Sequence, residues 1–274
     1  MGILKIKCVL LALCLWSLAV LLSAGPARAD HVQFYVDALP PYAVLHDNGP
    51  PTGFAVALME QLMRMAGEHF DASDVSVMTW ARAVHHVEVV PNTALLVLTK
   101  LPQRVAHYKW VGPLDLLPVG VIAHKDSGVV VDRLEDLLKY RVGIVRSTAP
   151  YLVLTRDLPE IGPNLVLFSG IPALLRMLRE RRVDVIVQAD RASKELMGAE
   201  GMDASEYSTI FHLAPLAVYF GFNKSTDDGL IRRLQSALDR FKEPGSSGVS
   251  PYERMRKAYF GEMAVRSVDG AWAK

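Results

Sequence analysis

Thr99 and Arg104 are five residues apart at the end of an apolar run, in VLTKLPQRVAHYKWVGP (97–113). Arginine offers a fixed fork of N–H donors that matches a carboxylate, and threonine adds a short neutral donor. The pair therefore points to capture of an anionic group on a small molecule. The plain alternative is a surface turn with a solvated Arg104. Trp80 and Trp110 offer large rigid faces for stacking on a ligand; Trp80 is the better candidate, and Trp110 suits a core position near the lobe crossing. Arg82 lies one turn into a helix, where surface and ligand roles both fit. Arg146, Ser147 and Thr148 stand just before Pro150, a residue suited to the first turn of a helix. The two hydroxyls there serve either as caps or, with the free N–H groups of the helix start, as an anion site.

Other chemistries find little support. The chain has no G-x-S-x-G, Walker loop, H-E-x-x-H or catalytic cysteine pattern. Asp37, Asp190 and Glu195 are the acids nearest the candidate site, and none is a tuned general acid by its sequence surroundings. There are eight histidines, but the adjacent His85 and His86 point about 100° apart on a helix and do not share a metal. His85 and Glu88 are one turn apart without a third ligand nearby. Neither a metal nor a cofactor is expected, and the protein is expected not to be an enzyme.

The start of the chain bounds the setting. Lys5 and Lys7 precede an apolar run from Cys8 to about Leu22, and Ala27-Arg28-Ala29 closes it. This is the layout of a cleavable secretory signal over residues 1–29. The run is short of the roughly 20 apolar residues a spanning helix needs. Both cysteines, Cys8 and Cys14, fall inside the leader. Without Lys5, Lys7 and Arg28, the balance of 30 basic against 29 acidic side chains becomes 27 against 29. Such a near-neutral chain offers no basic field for nucleic acid. About 245 residues remain, enough for one large domain or two of about 100–150 each.

The elements alternate. His31–Val36 reads as a strand, and the prolines of Asp37–Tyr42 (DALPPY) end it. Asn48-Gly49 is turn chemistry. Phe54, Leu58, Leu62 and Met65 recur at helical spacing, with Gly67 as the stop. Val75–Met78 and Ala94–Leu98 read as strands around a helix at Ala81–Val89. The pattern restarts with strands at Val119–Ala123, Val142–Val145, Leu165–Phe168 and Val183–Val187. Helices are expected at Val131–Tyr140, from Tyr151, and at Ile171–Arg181. Residues 195–210 read as loop or weak helix, His212–Phe222 as extended, Leu230–Phe241 and Pro251–Phe260 as helices, and the tail after Met263 as frayed. Alternation of this kind implies mostly parallel sheets, with ligands beyond the carboxyl ends of the strands. The segments Asp37–Tyr42, Thr79–Arg82 and Thr99–Arg104 are each such an end. Arg146–Thr148 and Gln188–Asp190 form the corresponding rim of the second set.

These segments together resemble the family 3 extracellular solute-binding proteins, the periplasmic receptors of polar amino acid transporters. The resemblance is carried by DALPPY with GPPTGFAVALMEQL, TWARAV, LTKLPQRVAHYKWVGPL, VDRLEDLLKYRVGIVRSTAP, LRMLRERRVDVIVQAD and the C-terminal IRRLQSALDRFK and YERMRKAYF. It implies an α/β fold of two lobes, type II, joined by crossing strands, with residues 30–113 and 215–274 in one lobe and 114–214 in the other. It implies that Arg104 with Thr99 holds a ligand carboxylate, that Tyr42 packs on the ligand, and that Arg146, Ser147 and Thr148 supply donors. The family's ammonium-binding Asp falls by counting on Ala189, with Asp190 one residue later. The TWARAV and WVGPL segments are similar to a divergent branch. The expected protein is thus a periplasmic monomer that closes over a small, carboxylate-bearing ligand and delivers it to a membrane ABC permease. A periplasmic lyase or dehydratase on the same fold, and a ligand-sensing receptor module, are the alternatives.

Overall fold

The computed structural model describes residues 31–261. The leader and the tail after Met263 lie outside the described residues. β1 (Gln33–Val36) ends at Asp37, and the chain then turns through two isolated bridges, Leu39 with Ala43 and Val44 with Thr52. Gly53 follows at φ 120, where a Cβ would lie 2.5 Å from the Tyr42 carbonyl oxygen, so glycine alone fits this entry to α1 (Phe54–Ala66). α1 buries Phe54, Leu58, Met59 and Leu62 on one face and stops at the left-handed Gly67.

β2 (Val75–Val77), α2 (Trp80–Val89) and β3 (Thr93–Thr99) follow, and β3 is buried at every position. Burial on both faces explains why it reads as a continuous apolar run. A 3-10 turn at Pro102–Arg104 leads to β4 (Tyr108–Leu117), which is followed almost at once by β5 (Val119–His124). The helix expected over Val131–Tyr140 is a 3-10 segment, Leu134–Lys139. The Asp136 carboxylate accepts the N–H groups of Asp132 and Arg133, and such local bonds compete with helical ones.

Next come β6 (Val142–Val145), α3 (Ala149–Asp157), β7 (Leu165–Phe168), α4 (Ile171–Arg179), β8 (Val185–Ala189) and α5 (Asp190–Met197). The stretch read as irregular over 195–210 holds the end of α5, two 3-10 turns and the start of β9 (Tyr207–His212). The extended segment expected at His212–Phe222 is in fact the end of β9 and most of β10 (Leu216–Asn223), which lie in different sheets. Pro215 sits in the break between them, where it removes a ladder donor. α6 (Asp228–Lys242) and α7 (Pro251–Phe260) complete the described chain.

The strands form two five-stranded sheets, β2-β1-β3-β10-β4 and β7-β6-β8-β5-β9. Each is mixed, whereas mostly parallel sheets were expected. β1 pairs in parallel with β2 and β3, and β6 with β7 and β8. β10 runs antiparallel to β3 and β4, and β5 antiparallel to β8 and β9. The antiparallel strands are those that carry the chain between the lobes, so the reversal follows from the crossing. The first core gathers Phe34, Phe54, Phe220 and Phe222; the second gathers Ile122, Leu174, Leu175 and Ile186.

Candidate functional site

At the carboxyl ends of β1 and β3, the first lobe faces the turns after β6 and β8 of the second. A cavity lies between them, with about 70 Å³ open to the centre of a water molecule. One water needs about 10–15 Å³ by that measure, so the space fits several waters or a ligand of a few heavy atoms. Tyr35, Asp37, Trp80 and Thr99 line it from the first lobe, and Thr148 and Gln188 from the second. The rest of the lining is aliphatic apart from Gly170.

Asp37, Thr148 and Gln188 are each fixed by hydrogen bonds to nearby backbone groups. Tyr35 and Asp37 are two apart along β1 and its continuation, so they share a side of the strand. Asp37 is half-buried, and its two oxygens accept the N–H groups of Ala38 and Trp80, each at 2.8 Å. Burial raises its pKa, and the two backbone N–H bonds oppose that rise. Thr148 Oγ1 donates to the Val145 carbonyl at 2.7 Å. Thr148 stands at the cap position of α3, yet its side chain makes no capping bond. Gln188 is buried, and its Oε1 accepts the Ala189 N–H at 2.8 Å.

Arg104 does not line this cavity. It is 5% exposed, and Nη2 donates to the Ser147 carbonyl oxygen at 2.7 Å, with a longer bond of 3.4 Å from Nη1 to the Thr99 carbonyl. Its guanidinium carbon lies 5.9 Å from the Trp80 ring centroid. Burial lowers its pKa to about 10. Trp80 Nε1 donates to the same Ser147 oxygen at 2.9 Å. Ser147 presents that oxygen from φ 59, a left-handed conformation that costs a serine energy and is sustained by its surroundings. The two first-lobe donors thus hold one second-lobe acceptor.

Tyr42, Asp190 and Arg146 also lie outside the lining. Tyr42 is 3% exposed in the first core, edge-on to Phe54 and Phe260, and its hydroxyl donates to Asp115 at 3.0 Å. That places its ring in the core and not on the cleft wall, because the buried Asp115, already paired with Arg256 at 3.1 Å, draws the hydroxyl inward. Asp190 opens α5, where its carboxylate accepts from Thr209 and pairs with Lys194 at 3.1 Å; Gln188, two residues earlier, faces the cavity in its place. Arg146 is exposed. Tyr35, Asp37 and Gln188 were not among the residues expected to contact ligand. The signal for the first two was their i, i+2 spacing at the end of β1. Among the described residues, no group of His, Cys, Asp and Glu is placed to hold a metal.

A second contact joins the lobes. Arg191 of α5 donates to the carbonyls of Phe260 at 2.8 Å and Tyr259 at 3.3 Å, and lies 5.5 Å from the Phe260 ring. A cation at these last carbonyls of α7 also meets the negative end of the helix dipole.

Two lobes, two mixed sheets and a cleft at the strand ends decide the architecture. The fold is periplasmic-binding-protein-like. It is similar to a histidine kinase sensor domain with similarity to periplasmic binding proteins, at TM-score 0.74 and 19% identity, covering 86% of this chain and 98% of that one. An ancestral arginine-binding protein bound to arginine matches at TM-score 0.72 and 16% identity, over 86% of this chain and 100% of the other. The arginine-, lysine-, histidine-binding protein ArtJ from the thermophilic bacterium Geobacillus stearothermophilus matches at TM-score 0.70 and 18% identity, over 86% and 97%. No protein-family model and no curated protein matches the sequence.

Proposed function

We propose that the protein is an exported solute-binding protein whose two lobes close over a small ligand in this cavity. The observation that carries the reading is the composition of the lining: Trp80 and Thr99 come from one lobe, Thr148 and Gln188 from the other. A ligand that touches both sets binds the closed arrangement better than an open one, and that difference in affinity is what drives closure. Delivery to a membrane ABC permease that recognises the closed form, by a monomeric protein in the periplasm, completes the role. The known ligands of the arginine-binding neighbours favour a small nitrogenous metabolite.

A binding role suits the cavity better than catalysis. Asp37 is the one carboxylate in the lining, whereas a lyase or dehydratase needs an acid and a base placed on the reacting group. Calorimetry with a metabolite panel, joined to small-angle scattering, tests the reading. Saturable binding with a fall in radius of gyration is expected, and a panel that leaves both heat and radius unchanged would remove it.

The likeness to a sensor domain favours a second reading, in which the closed form reports to a membrane receptor instead of a permease. Co-purification of the ligand-loaded protein with membranes separates the two by the partner it retains.

A further inference from the structure

Resting on the cleft-binding reading above, we infer that the ligand is a small organic cation, an amine or ammonium on a short apolar body, received by Asp37 between Tyr35 and Trp80. Asp37 is the only residue of the lining that carries a formal charge. Among the described residues it forms no ion pair, and its bonds are to the two backbone N–H groups of Ala38 and Trp80. Those bonds fix the carboxylate at the rim, and each oxygen keeps a lone pair for a further donor. A cation entering the cavity therefore meets an anchored, partly desolvated carboxylate, and the Tyr35 and Trp80 rings add aromatic surface suited to it.

The same geometry disfavours an anion. The guanidinium expected to clamp a carboxylate is instead taken up by the Ser147 and Thr99 carbonyls, and Arg104 does not line the cavity. A carboxylate in the cavity would sit near Asp37 with no lining cation to offset the repulsion. The aliphatic walls, Val97, Leu117, Ile171 and Val218 among them, take a hydrocarbon body, and the volume keeps it short. The ligand class thus shifts from the carboxylate expected of the sequence to an amine.

A series of four-carbon probes tests this on the wild-type protein, with n-butylamine, n-butanol, butyrate and γ-aminobutyrate titrated by calorimetry at neutral pH. Butylamine is expected to bind about tenfold more tightly than butanol, the gain of one charged contact over its neutral counterpart, with butyrate weakest. Asp37→Asn should abolish the difference between amine and alcohol, while Asp37→Glu, which keeps the charge, should retain part of it. Tighter binding of butyrate or γ-aminobutyrate than of butylamine would overturn the cation assignment and leave the cleft reading standing. Equal binding of amine and alcohol overturns the role of Asp37. If no probe binds at millimolar concentration while the metabolite panel does find a ligand, and that ligand is not an amine or ammonium, the cation assignment falls alone; if the panel also fails, both fall.

Discussion

Arg104 Nη2 and Trp80 Nε1 share a single acceptor, the Ser147 carbonyl oxygen, at 2.7 and 2.9 Å. Arg104 and Trp80 belong to the lobe of the first sheet, Ser147 to the turn after β6 in the second. The two lobes are therefore held together here by protein groups alone. Arg104→Gln and Trp80→Phe should each loosen this contact, by about 0.5–3 kcal/mol for a hydrogen bond of this kind. Because the donors meet at one oxygen, the double variant should lose less or more than the two single losses added together. Scattering of the protein without added ligand reads the effect as a larger radius of gyration in each variant. Identical radii throughout would mean that this bond does not hold the lobes.

Asp37 makes stability depend on pH in a defined direction. Burial raises its pKa in the folded protein above the ordinary 3.8. The folded state then takes up a proton at a higher pH than the unfolded chain does, so this group contributes stability as pH falls through the folded pKa. The gain is complete below the unfolded value and absent at neutral pH. Denaturant melts at stepwise lower pH should show wild type gaining on Asp37→Asn. A gap that moves the opposite way would show that the Ala38 and Trp80 N–H bonds outweigh burial.

Tyr42 has a structural task. Its hydroxyl and Arg256 together satisfy the buried Asp115, and the Tyr252 hydroxyl donates to the Leu114 carbonyl beside it. Tyr42→Phe keeps the ring packing and removes one donor from a buried carboxylate, a loss of about 1–3 kcal/mol. The unfolding free energy should fall by that amount while affinity for the ligand stays at the wild-type value. A large change in affinity at constant stability would return Tyr42 to the cleft.

Arg191 ties the second lobe to the end of α7. Arg191→Ala removes both bonds and the charge at the helix terminus. Amide exchange at the last turn of α7, residues 257–261, should accelerate, since local opening governs protection there. Protection equal to wild type would show that the α7 terminus is held by the first lobe alone.

Much of the architecture was legible in local pattern. The helical spacing of Phe54, Leu58 and Leu62, the stop at Gly67, and the apolar runs of β3, β6 and β8 each state an element, because burial of one face or both imposes its own period. The two sets of alternating strands and helices pointed to two lobes for the same reason. The Val131–Tyr140 segment misled, since apolar spacing in ten residues does not reveal that the Asp136 side chain will take up the N–H groups of its neighbours. His212–Phe222 misled because a strand that changes sheets has the same apolar content as one that does not.

The site divides along the same line. The order of residues alone determined which types stand at the strand ends, and so placed Trp80, Thr99 and Thr148 near a common rim. Which side chains face the cavity was decided by the tertiary structure. Arg104 points to Ser147 and not into the cavity because the second lobe offers a carbonyl held at an unusual backbone angle. Tyr42 turns to the core because Asp115 is buried behind it. Asp37 lines the cavity because the N–H groups of Ala38 and Trp80 fix its carboxylate there. Each of these outcomes depends on a partner distant in the chain or on the path of the backbone, and a local pattern of residue types specifies neither.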